Sequence, residues 1–81
     1  MEIQEKETKE RLRSTLPYGS NAEIRRKVLE MYGKTVSASH IGNVLDPSKE
    51  AWDNDIISVA LDLAAVNVAK RQGIAKKLAN L

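Results

Sequence analysis

Three short polar residues, Ser39, His40 and Asn43, share a stretch, ASHIGNVL, whose other positions are apolar or small. Their chemistry is hydrogen bonding rather than bond making. An asparagine can pair bidentately with an adenine edge, while serine and histidine bond to several acceptors. Around them lie groups suited to phosphate. Arg25 and Arg26 come before, Lys34, Thr35 and Ser37 stand just ahead, and Ser48 and Lys49 follow. Such groups position a protein on a nucleic-acid backbone, and base contacts then specify sequence. Ser39, His40 and Asn43 are therefore the candidate base contacts, and Arg25, Arg26, Lys34, Thr35, Ser37, Ser48 and Lys49 the candidate phosphate contacts. Each has a plainer role open to it. Arg25 and Arg26 can pair with Glu23 and Glu30 at the surface, for about 0.3–0.5 kcal/mol. Ser37 can cap a helix, and the rest can serve solubility alone.

Other chemistries lack their residues. The chain has one histidine and no cysteine, so disulfides and thiolate metal sites are excluded and His40 has no partners for a zinc site. No phosphate loop and no nucleophile–base pair is visible, so no catalytic residue and no cofactor is expected. The apolar run from Ile56 to Ala69 is interrupted by Ser58, Asp62 and Asn67, which excludes a membrane span. The opening MEIQEKETKE is charged with both signs and does not read as a signal peptide. A cytoplasmic location fits these features.

Net charge is only +2, but it is unevenly placed. Residues 1–10 carry −2, residues 11–49 carry +4, residues 50–62 carry −4 and residues 63–81 carry +4. A basic zone around the polar stretch suits a polyanion. The acidic block behind it favours a second reading, a small helical protein-interaction module.

The elements that must position these residues are helical throughout. With 81 residues a single domain is expected. Residues 2–15 are rich in helix formers but hold few large apolar residues, so residues 1–11 read as a solvated or frayed extension. Leu12 and Leu16 anchor its end, and Pro17-Tyr18-Gly19 breaks it. Residues 12–81 read as the domain. Ser20 or Asn21 can cap a second helix, with Ile24, Val28, Met31 and Tyr32 along one side and Gly33 stopping it. Ser37 can cap a third helix over Ala38–Leu45, which packs Ile41, Val44 and Leu45 inward and ends at Asp46-Pro47. From about Asp53 the chain is helix-forming to near its end. Ile56, Ile57, Ala60, Leu61, Ala64 and Val68 mark its apolar side, and Gly73 either splits it or is absorbed. Trp52 covers the junction into that long helix. Surplus apolar surface there, with Ile74, Leu78 and Leu81, suggests a homodimer contact.

Two short helices joined by a glycine-containing turn meet the needs of a helix-turn-helix. Gly33 ends the first, Val36 can anchor the turn, and the second exposes polar groups at its outer side. LRSTLPYGSNAEI leading into VLEMYG, then VSASHIGNVL, a polar loop and IISVALDLA together resemble a phage-repressor or Cro-type (XRE-like) helix-turn-helix domain. In that family a glycine ends the second helix, and apolar residues stand five and eight places after a turn residue. Gly33, Val36, Ile41 and Val44 match those roles. Here the turn is about two residues longer, Leu29 stands where a small residue is usual, and Gly42 lies inside the third helix. The resemblance implies an all-α, lambda-repressor-like bundle of four to five helices with the third in the major groove. It also implies a sequence-specific regulator of transcription, bacterial or phage, that binds double-stranded DNA, commonly as a dimer.

Overall fold

The computed structural model describes residues 3–17 and 19–80. Tyr18 of the expected breaker cluster, Leu81 of the expected C-terminal contact and the side chain of Ile3 lie outside the described residues. Four helices follow one another: α1 (Ile3–Thr15), α2 (Ser20–Tyr32), α3 (Ala38–Leu45) and α4 (Asn54–Ala79). The described residues contain no strand. The resemblance implied four to five helices, and the described residues form four, with α4 running through Gly73 without a break.

Local chemistry accounts for most helix ends. Gly33 closes α2 with a left-handed backbone (φ 62°), and its N–H bonds the Leu29 carbonyl. Ser37 caps α3, its hydroxyl accepting the His40 N–H at 3.0 Å. Asp46 ends α3, and its carboxylate then accepts both the backbone N–H and the hydroxyl of Ser48, folding the turn that leaves the helix. Asp53 caps α4, with Oδ1 accepting the N–H groups of Asp55 and Ile56. The start of α2 differs from expectation. Gly19 holds the cap position without a side-chain bond, and Ser20 is the first helical residue. The Ser20 hydroxyl instead donates back to the Pro17 carbonyl, which pins the corner between α1 and α2.

The core joins all four helices. Leu12 of α1, Ile24 and Val28 of α2, Ile41 and Val44 of α3, and Ile56, Ile57, Val59, Ala60 and Ala64 of α4 are buried together, with Val36 plugging the α2–α3 connection. Leu16 and Trp52 pack at its edge, and the Trp52 ring N–H reaches Asn54 Oδ1 at 2.7 Å. The second half of the expected α2 stripe is not part of this core, since Met31 and Tyr32 are exposed. Leu61 and Val68 of α4 are exposed too: Leu61 is turned about 100° from the buried Ala60, and Val68 lies past Asn67, beyond the last buried residue of the helix.

The largest departure from the sequence reading is in α1. Gln4, Lys6, Glu7, Glu10 and Arg11 are exposed, as a solvated helix requires. Lys9 is fully buried. Its Nζ donates to the carbonyls of Ala51 at 2.6 Å, Lys49 at 2.8 Å and Asp46 at 3.4 Å. An ammonium has three donors and no acceptor, so three carbonyls satisfy it completely. The α3–α4 loop thus wraps around a lysine that belongs to the expected extension.

Candidate nucleic-acid interface

Helix α3 has two sides with different fates. Ile41 and Val44 are buried, and Leu45 is half-buried. Ala38, Ser39, Gly42 and Asn43 are exposed, and their spacings of three and four place them on one face of the helix. All four are short, so the helix backbone itself lies near the surface. At Gly42 an added methyl group would meet no atom within 4 Å.

Two grooves border this face. One, of about 710 Å³, is lined by Arg13, Asn21, Gly42 and Asp46 among others. The other, of about 580 Å³, is lined by Asn21, Arg25, Thr35 and Ala38 among others. Asn21 lines both, so α2's first turn and α3's outer side make one continuous surface. Arg13 and Asn21 were missed by the sequence reading. The helical spacing of Arg13 relative to Leu12 and Leu16 was visible, but its place beside α3 depends on how α1 crosses the bundle.

The sequence candidates separate into two groups. Ser39, Asn43, Arg25, Thr35 and Lys49 are exposed around the α3 face. The paired Ser48 bonds hold the Asp46 carboxyl below the usual range against a smaller push from burial, and the charges of Arg13 and Lys49 add to the effect. The other group is engaged within the chain. Ser37 caps α3. Ser48 bonds Asp46. Arg26 forks between Glu23 at 2.5 Å and Glu30 at 2.6 Å on the exposed face of α2. Lys34 reaches Asp53 at 2.7 Å and Asp55 at 3.6 Å.

His40 also turns away from the exposed face. It is half-buried, and its Nε2 lies 3.2 Å from Asp53 Oδ2. Asp53 therefore joins three elements: it caps α4, holds Lys34 of the α2–α3 connection and holds His40 of α3. Burial pushes its carboxyl up. The bonds from Lys34 and His40, with the Ile56 and Asp55 N–H groups, outweigh that and hold it at about 2. The acidic block after residue 50 thus supplies a structural carboxylate rather than a free acidic patch beside α3.

Among the described residues no three His, Cys, Asp or Glu side chains are placed to hold a metal ion. Among them, too, no helix is long and apolar enough to cross a membrane. Compared with protein-family models, with curated proteins and with solved structures, the chain matches none.

Proposed function

We propose that the chain is a sequence-specific DNA-binding protein whose α2, connection and α3 act as a helix-turn-helix. Its work is binding rather than catalysis. In this reading α3 enters the major groove, Ser39 and Asn43 read base edges, and Arg13, Arg25, Thr35 and Lys49 contact phosphates. His40 positions α3 through Asp53 instead of touching a base. The observation that carries the reading is the outer face of α3. It is short, polar and glycine-containing, and cations border it in both grooves. A major groove about 12 Å wide admits a helix, and short side chains allow its backbone a close approach. Regulation of transcription in a bacterium or phage would follow from occupancy of an operator. Two copies joined through their C-terminal helices would present two α3 helices to half-sites about one turn, or 34 Å, apart.

A protein-interaction module is the second reading. One observation favours it: Arg26 and Lys34 are already neutralised within the chain, which thins the basic charge around α3.

Selection of bound duplexes from a random-sequence pool, at low and at physiological salt, separates the two. The DNA reading expects one enriched motif. Asn43→Ala and Ser39→Ala then relax base preference, while Arg25→Ala weakens all sequences alike. Three phosphate-facing cations per copy give a slope of log K against log salt of about −2.7, from about −0.9 per contact. No enrichment at either salt transfers the case to the interaction module.

A further inference from the structure

Beyond Asn67 no described residue of α4 is buried, so the second half of this 26-residue helix extends past the bundle. At about 1.5 Å per residue the whole helix is about 39 Å long. That approaches the molecule's longest dimension, 45 Å.

One exposed line on α4 has a regular pattern. Leu61, Ala65, Val68, Gln72, Ala75 and Ala79 recur at alternating steps of four and three, which places them on one seam of the helix. Every one of them is exposed, including Leu61 at 48% and Val68 at 38%. Leu78, 64% exposed, lies on one flank of the seam. Asp62 and Lys76 lie on the other, each one place after a seam residue. Neither forms an ion pair among the described residues.

We propose that this seam binds a second copy of the chain with the two α4 helices antiparallel and the two-fold axis at Val68. Charge selects both the occupant and its direction. Antiparallel, Leu61 meets Ala75 of the second copy, and Asp62 stands opposite Lys76 of the second copy, twice by symmetry. Parallel, the flanking positions bring Arg71 against Lys76 of the second copy, also twice, and both are cations. The acidic first half of the helix thus fits the basic second half of another α4. With the axis at Val68 the shared seam runs from Leu61 to Ala75, about 21 Å or four turns of helix. This inference rests on the surface of α4 alone and holds whether or not α3 binds DNA.

The test uses the full chain without DNA. Sedimentation from micromolar to millimolar concentration should show a reversible dimer. Asp62→Lys and Lys76→Asp should each weaken it about tenfold, and the double exchange should restore it. The chain has no cysteine, so single-cysteine variants report direction cleanly. A mixture of Leu61→Cys and Ala75→Cys chains should oxidise to a 61–75 disulfide. A chain that stays monomeric, a double exchange that fails to restore association, or preferential 61–61 crosslinking overturns the proposal. A monomer that still selects a DNA motif would overturn the pairing of α4 and leave the DNA reading standing.

Discussion

Gly42 offers an opposition between stability and binding. It sits within α3, exposed, and a methyl group there meets nothing within 4 Å. Alanine is better than glycine inside a helix by about 0.8–1.0 kcal/mol. Helix α3 has only eight residues and contributes two of its side chains to the deep core, so the gain should reach global stability. For a domain of this size about 1 kcal/mol raises Tm by roughly 4–8 °C. Gly42→Ala should therefore melt higher than the parent in a circular-dichroism scan. Gly42→Glu should remain folded, because the side chain projects into open space. If α3 lies in a groove, that carboxylate faces phosphates at close range, and DNA affinity should fall at least tenfold, about 1.4 kcal/mol. The two assays are independent. A lowered Tm for Gly42→Ala refutes the reasoning from open space and helix propensity. Parent-like DNA affinity for Gly42→Glu refutes the placement of this face at the interface.

Other perturbations test the structural claims around the site. Lys9→Met keeps the length of the side chain but leaves the Lys49 and Ala51 carbonyls without their donor, which should cost about 1–3 kcal/mol in denaturant unfolding; an unchanged midpoint would mean that the loop does not depend on this lysine. Asp53 has a folded value of about 2, below its unfolded value of about 3.9. Its contribution is thus fully present above pH about 4 and is lost as pH falls toward 2. Asp53→Asn retains a good helix cap but should flatten that acid limb of the stability profile, and a limb as steep as the parent's would assign the acid sensitivity to other groups. Gly73→Ala in the uncovered part of α4 should raise helical content at 222 nm with little change in the core's Tm, since the added methyl meets no neighbour; a large rise in Tm would show that this part of the helix is coupled to the core.

Local chemistry is legible residue by residue, and the ends of the helices show it. Gly33, Ser37, Asp46 and Asp53 each act on groups within four residues, so α3 and the start of α4 fall where their caps place them. The exception proves instructive at α2. Ser20 looks like a cap, but the corner after Pro17 turns its hydroxyl backward. Periodicity also located the deep core correctly where helices cross, at Ile24, Val28, Ile41, Val44, Ile56 and Ala60. It overreached at Met31, Tyr32, Leu61 and Val68, because an apolar stripe states which residues could be covered and not which of them a neighbour will cover.

The candidate interface divides along the same line. Sequence alone determined a helical chain, the polar outer positions Ser39 and Asn43, the hydroxyl cap at Ser37 and the separation of charge into blocks. Those follow from residue type and from spacings of one helical turn. Tertiary structure decided which cations remain near α3. Lys34 and His40 meet Asp53 across 19 and 13 residues, and Lys9 meets the 46–51 loop across 37 to 42. Arg13 reaches the same groove as Gly42 only because α1 crosses the bundle there. Such pairings rest on where distant segments cross, and a charge carries no mark along the chain of the partner it will find.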